Sequence, residues 1–247
     1  MATGRMAEVF AWGEGRVLKL DRAEWNGCAA LESEVLRRVT EAGIDAPRAF
    51  EATTVAGRLG VVMERVDGPL LSEVLAHSDD VDAPARTFSD LHVALNAREV
   101  DGLPDLLTSL LGGIEASGLD AALGRELISL TADLDDGRRQ LCHFDLHPQN
   151  VIVSERGWVV IDWLSASSGP PLADFARTLL LLSGRDDDAN VRFRTAVRRD
   201  GLEARGADLA AVDDWVRVLA AARLSEGFTG EYASFLTGLA AGTRRLV

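Results

Sequence analysis

His143-Phe144-Asp145-Leu146-His147-Pro148-Gln149-Asn150 runs directly into Val151-Ile152-Val153, a turn at Ser154-Glu155-Arg156-Gly157, and the apolar stretch Trp158-Val159-Val160-Ile161 that ends at Asp162. Two His, one Asp and one Asn within eight residues are dense for a structural loop. Pro148 has no backbone N–H and disfavours helical geometry at His147, so the segment is predicted to be an extended loop. The apolar runs on either side of a Gly-containing turn predict a short β-hairpin. Such a hairpin returns Asp162 to the side of Asn150. An amide and a carboxylate meeting at one hairpin mouth suit a hard, oxygen-preferring cation such as Mg²⁺, whose shell phosphate oxygens and water would complete.

Three readings compete for this cluster. In the first, a phosphoryl-transfer site, Asp145 accepts a hydroxyl proton while Asn150 and Asp162 hold Mg²⁺. In the second, His143-Phe144-Asp145 is the H-x-D half of a facial iron triad. That triad needs a distal His, and the four present are His77, His92, His143 and His147, none of them downstream of the motif. In the third, structural, reading the two His bond to backbone and Asp145 caps a turn. An isolated D-x-x-x-x-N would be covered by that third reading. The joint pattern favours the first, because Asp145 and Asn150 stand at the spacing of the Asp and Asn of a kinase catalytic loop and an Asp closes the next hairpin.

Upstream the chain is strand-rich. Alternation over residues 7–12, a Gly13-Glu14-Gly15 turn and the apolar residues 16–20 predict a hairpin with Lys19 on its second strand. Leu31, Val35, Leu36 and Val39 fall at helical spacing within residues 24–42, and Gly43 supplies a stop. Strands over 49–55 and 59–63 then lead into Glu64-Arg65-Val66-Asp67-Gly68-Pro69, a linker. Beyond it helices are predicted over 71–76, 84–96, 103–116, 121–134, 172–183, 189–199, 207–224 and 231–244, interrupted by the hairpin around residue 156. The expected fold class is α+β, with a small β-rich part holding one helix at residues 1–67 and a larger helical part at residues 68–247.

The 247 residues carry 26 basic and 39 acidic side chains, a formal net charge of -13. That balance argues against a nucleic-acid ligand, which requires clustered Lys and Arg. Residues 1–71 hold 9 basic and 11 acidic residues and the remainder 17 and 28, so the acidity lies in the helical part. Solvated faces and helix termini account for most of it, and a minority of carboxylates suits an amine-bearing substrate. Of the 26 basic residues one is a Lys, Lys19, and the rest are Arg. A compact ammonium suits a tight phosphate site, and drift in an Arg-biased chain would equally leave a single Lys. Cys28 and Cys142 lack metal-ligand spacing and read as thiols of a reducing compartment. No signal-like or membrane-spanning stretch is evident, and the expected location is cytoplasmic.

The stretches HFDLHPQNVIV and WVVIDWLSASSGPPLADFA resemble the catalytic core of the aminoglycoside phosphotransferase family, whose members often read HGDLHPGN followed by a strand ending in IDW or IDF. The resemblance is strongest over residues 141–178 and weaker over 16–70. It implies a two-lobed, protein-kinase-like fold and transfer of the ATP γ-phosphate to a hydroxyl of a small molecule: an aminoglycoside or related antibiotic, or an amine-bearing metabolite. On that basis Asp145 is the expected base, Asn150 and Asp162 the Mg²⁺ ligands, and His147 an organiser of the loop. Asp174 matches a position that braces the loop without taking part in chemistry. Lys19 corresponds to the strand lysine on the α- and β-phosphates, and Glu32 to the helix glutamate that pairs with it, with Glu34 the runner-up. Glu64 and Val66 correspond to the hinge whose backbone meets adenine. The chain departs from the pattern at Phe144 and Gln149, where Gly is frequent, and it has no G-x-G-x-x-G loop, only Gly4 preceding the first strand. These departures are what a non-catalytic nucleotide-binding or sensing protein on the same fold would also show.

Overall fold

The computed structural model describes residues 2–3, 6–184 and 187–246, the side chains of residues 2 and 3 excepted. Gly4 and the acidic residue Asp186 lie outside the described residues. By packing, the chain forms two compact units: Met1–His77 with Val100–Leu103 and Asp145–Ala166, and Ser78–Glu99 with Pro104–Phe144 and Ser167–Val247. An α+β architecture results, with a small antiparallel sheet in the first unit and most of the helices in the second. The grouping differs from a boundary drawn at residues 67/68, because residues 145–166 pack with the sheet-bearing unit although they follow it by some 80 positions.

In the first unit, strands β1 (Ala2–Thr3), β2 (Ala7–Ala11), β3 (Arg16–Asp21), β4 (Ala49–Val55) and β5 (Arg58–Glu64) form an antiparallel sheet in the order β1-β2-β3-β5-β4. β1 extends the sheet one strand beyond the expected hairpin. Leu18 and Leu20 of β3 point to one face, where they pack with Val62, Phe10 and Val55. With a side-chain period of two, Lys19 projects from the other face. Helix α1 (Cys28–Glu41) covers that face and buries Ala29, Glu32, Val35, Leu36 and Val39. It starts four residues later than the apolar pattern predicts. Its N-cap residue, Gly27, has no side chain, and the buried Asp21 carboxylate substitutes, accepting from the backbone N–H of Gly27 (2.8 Å) and Ala29 (3.0 Å). Residues 23–25 form a separate 3₁₀ turn ahead of it.

The same unit holds helix α2 (Leu71–Ala76) and the hairpin of strands β7 (Val151–Ser154) and β8 (Gly157–Val160). Val151 pairs with Val160, and the Ile161 N–H donates to the Asn150 carbonyl at 3.0 Å, so the register places Asp162 one residue beyond the position facing Asn150.

The second unit is built from helices α3 (Asp82–Asn96), α4 (Leu106–Glu115), α5 (Ala121–Leu134), α6 (Pro171–Leu182), α7 (Asp188–Arg205), α8 (Leu209–Leu224) and α9 (Gly230–Ala240), with strands β6 (Gln140–Cys142) and β9 (Ser167–Gly169) paired antiparallel. Both strands are three residues long, too short for a periodic signal, and were not expected. α7 runs to Arg205, six residues beyond the predicted end, and α9 stops at Ala240. α6 is apolar on nearly every side and buries ten of its twelve residues, among them Asp174 and Arg177. Phe88 meets Phe193 edge-on at 5.6 Å, tying α3 to α7. Among the described residues no helix is long and apolar enough to cross a membrane.

α6 and α7 approach closely at Gly201, where a Cβ would lie 2.4 Å from two ring carbons of Phe175. Gly201→Ala is therefore expected to lower stability by about 1–3 kcal/mol despite its better helix propensity. A urea titration that showed no loss would contradict this packing.

Candidate active site

Lys19 Nζ lies between two carboxylates. It is 2.6 Å from Glu32 Oε2 and 2.9 Å from Oε1, and 2.8 Å from Asp162 Oδ1. Glu32 comes from the face of α1 that covers β3, and Asp162 is the second residue after β8, 143 positions from Lys19. Burial alone would drive the Lys19 ammonium down, but Glu32 and Asp162 reverse that and hold it above its ordinary value. The Glu32 carboxyl is pushed up by burial and by Asp162, while Lys19 and a backbone hydrogen bond from Trp163 pull against the shift. Glu34, one residue off that face, pairs with Arg37 and Arg38 on the exposed side.

Asp145, Asn150 and His147 form a second group at the mouth of the same hairpin. Asn150 Nδ2 donates to the Asp145 carbonyl (2.9 Å) and to Asp145 Oδ2 (3.0 Å). His147 Nδ1 lies 2.8 Å from Gln149 Oε1, and Nε2 lies 3.3 Å from Asn150 Nδ2 and 3.7 Å from Asp145 Oδ2. His147 thus organises the loop. Gln149, standing where Gly is frequent, provides the partner that orients it.

The geometry fits a hard cation in its donor chemistry. With Asn150 Nδ2 spent on the loop, its amide carbonyl is the end that remains to act as a ligand. Asp162 supplies a carboxylate of which one oxygen engages Lys19. Three carboxyl groups, Glu32, Asp162 and Asp145, stand against the one ammonium of Lys19, an acidic excess that a divalent ion would offset. Among the described residues no group of three or more His, Cys, Asp or Glu is placed to hold a metal ion.

In the second unit, Asp174 on α6 is fully buried and accepts four hydrogen bonds. Oδ2 receives His92 Nε2 (2.9 Å), Asn96 Nδ2 (2.8 Å) and the His143 N–H (3.2 Å), and Oδ1 receives the Phe144 N–H (2.8 Å). His143 and Phe144 are the two residues that lead into Asp145. Phe144 has φ 64°, a left-handed conformation costing a non-glycine residue about 1–3 kcal/mol. Asp174 holds its N–H, and Arg177 Nε donates to its carbonyl at 3.3 Å with the guanidinium 5.2 Å from the ring centroid. The loop therefore keeps the backbone shape that a glycine would adopt freely. Burial lowers the His92 pKa, so at neutral pH the ring is uncharged and donates through Nε2. Arg205, lowered to about 10 by burial against the pull of Asp174, donates to Asn96 Oδ1 at 2.8 Å.

At the end of β5, the Glu64 N–H donates to the Arg48 carbonyl (2.9 Å) and the Arg65 N–H to Gly15 (3.0 Å), leaving Val66 half-buried beyond the sheet. One unit thus contains Lys19, Glu32, Glu64, Val66, Asp145, Asn150 and Asp162. Trp163 and Trp215 are buried core residues. Sequence reasoning missed His92, Asn96, Arg177 and Arg205. The i, i+4 spacing of His92 and Asn96 on one helix face was a signal for a shared polar partner.

The model of the phosphotransferase enzyme family matches residues 6–219. No curated protein matches the chain by sequence. Among solved structures, it is similar to a thermostable mutant of aminoglycoside phosphotransferase APH(4)-Ia in ternary complex with AMP-PNP and hygromycin B, at TM-score 0.69 and 15% identity over 98% of this chain and 90% of that one. It is similar also to ADP-bound aminoglycoside phosphotransferase APH(2'')-Ib, at TM-score 0.62 and 18% identity over 98% and 90%. A third is aminoglycoside phosphotransferase APH(3'')-Id from Streptomyces rimosus in complex with ADP and streptomycin, at TM-score 0.60 and 15% identity over 84% and 86%. At these identities the likeness shows a shared kinase-like fold.

Asp174 gives the brace a measurable signature. Burial would raise its carboxyl, but His92, Asn96 and the neighbouring donors outweigh that and hold it at about 2, below the ordinary 3.8. A depressed carboxyl stabilises the fold above its unfolded pKa, and the contribution is lost as pH falls from about 4 through about 2. It is worth roughly 2 kcal/mol. Asp174→Asn should flatten the acid limb of a stability-against-pH curve over that window; an unchanged limb would remove Asp174 from the account.

Proposed function

Because the chain belongs to the phosphotransferase enzyme family, we propose that it transfers the γ-phosphate of ATP, bound as its Mg²⁺ complex, to a hydroxyl of a small molecule. The observation that carries this reading is the convergence of Glu32 and Asp162 on the one lysine of the chain. Lys19, fixed by Glu32, neutralises the α- and β-phosphates. Asn150 and Asp162 would hold Mg²⁺, which would supply positive charge against the phosphates during transfer. Backbone groups of Glu64 and Val66 meet adenine, which places nucleotide recognition in residues 1–67 and the catalytic loop and acceptor site in residues 68–247. Asp145 takes the acceptor proton. Its carboxylate is oriented by Asn150, and the residues before it are set by Asp174, so positioning and charge neutralisation do most of the work.

Nucleotides in the structural neighbours support the donor, and hygromycin B and streptomycin in two of them support a polyhydroxylated, amine-bearing or glycosidic acceptor. The acidity of the helical part suits a cationic acceptor, and a cytoplasmic location suits use of ATP.

Asp145→Asn is expected to lower kcat by about 10² to 10⁴ while ATP binding survives. Near-normal turnover would take Asp145 out of the base role. Mg²⁺-dependent ATP binding combined with turnover across a panel of aminoglycosides, macrolides and amino alcohols is the expected result for the wild type. Binding without turnover on any of them would favour a nucleotide sensor.

A further inference from the structure

Opposite its catalytic mouth, the β7–β8 hairpin ends in a turn that presents Arg156. This side chain reaches the end of β5: Nη1 is 2.6 Å from Glu64 Oε1, and Nη2 is 3.5 Å from Glu64 Oε2 and 3.3 Å from Asp45 Oδ1. Glu64 Oε2 also accepts from the Arg48 N–H at 3.2 Å, so the carboxylate is gripped from two sides. Farther along, the Val153 N–H donates to the Pro69 carbonyl at 2.9 Å and Leu70 bridges to Ile152. Gly68, at φ 146°, runs so close to β7 that a Cβ would lie 2.2 Å from the Val153 carbonyl oxygen. The segment 64–70 is therefore fastened to the hairpin at both ends, with Arg65, Val66 and Asp67 spanning the interval.

We propose that Arg156 is a positioning residue for the nucleotide. Through the Glu64 side chain it sets the backbone at 64–66 against the hairpin that carries Asn150 and Asp162, so that the two ends of one ATP molecule are registered by a single β-hairpin. This rests on the reading of Glu64 and Val66 as the adenine contact. A plain exposed ion pair contributes little, but here one guanidinium engages two carboxylates, Glu64 on a segment already pinned by backbone contacts and Asp45 outside it, and its planar fork loses little freedom in doing so. The contact fixes where the adenine-binding backbone sits and leaves the phosphoryl-transfer residues as they are.

The test compares Arg156→Ala, Arg156→Lys, Glu64→Gln and the double variant Arg156→Ala/Glu64→Gln by equilibrium ATP binding and by steady-state kinetics. Arg37→Ala, which removes a comparable exposed pair to Glu34 and Glu41 on α1, is the control. Arg156→Ala and Glu64→Gln should each raise the ATP Kd and KM about two- to fivefold, and the double variant no further, because the Arg156–Glu64 contact that positions the segment is lost in both and the Asp45 pair lies outside that segment. The acceptor KM and the thermal midpoint should hold, Arg156→Lys should recover part of the loss, and Arg37→Ala should move nothing. Unchanged ATP affinity in Arg156→Ala, or an equal rise in acceptor KM, overturns the inference alone. A wild-type protein that fails to bind ATP overturns the nucleotide reading beneath it.

Discussion

One ammonium shared by two carboxylates constrains the rest of the sheet-bearing unit. For Lys19 to meet both Glu32 and Asp162, β3 must present its odd-numbered side chains toward α1, α1 must begin where Asp21 caps it, and the hairpin must deliver Asp162 from far along the chain. A one-residue slip of β3 would send Lys19 into the apolar face occupied by Leu18 and Leu20. A start of α1 at residue 24 would carry no cap from Asp21. The local features are thus answerable to one long-range contact, made in a setting where an unpaired charge would be costly.

Backbone strain is concentrated beside the same chemistry. Among the described residues, three non-glycines have positive φ: Ala56 in a turn, Phe144 directly before Asp145, and Asp162 itself. Each of the last two is restrained by a polar contact, Phe144 by Asp174 and Arg177 and Asp162 by Lys19. A chain that lacks the frequent glycine at 144 reaches the same conformation by enforcing it from outside. The enforcing residues lie on α6, and two of the side chains that hold Asp174 itself lie on α3.

The polar loop at 143–150 and the hairpin were legible because each is encoded within a dozen residues, as a polar cluster, a Pro and a turn between apolar runs, and the lysine because it stands alone in an Arg-rich chain. Glu32 was separable from Glu34 because a helix face is a local property. The brace was only half legible. Asp174 was visible through the family motif, but His92, Asn96 and Arg205 reach it from elements whose own patterns speak only of burial. β6 and β9 were invisible for a related reason, since three residues hold too little periodicity, and the Leu141 carbonyl and N–H in β6 bind Asn96 and the Arg98 carbonyl, partners distant in sequence. The allotment of residues 145–166 to the sheet-bearing unit follows from Lys19–Asp162 and from β7 against the 68–70 segment, contacts between distant stretches that no local reading supplies.

The solitary lysine has a further effect, on the chemical character of the whole surface. Guanidinium groups stay protonated near neutral pH and do not acylate readily, and Lys19, the one side-chain amine, is kept as an ammonium by its two carboxylates and so lacks the lone pair that a nucleophile needs. The chain is cationic at 26 positions yet offers almost no reactive side-chain amine. Amine-directed acetylating and carbamylating agents would therefore leave its charge pattern nearly untouched, and the position that would suffer most from modification is the one its neighbours protect.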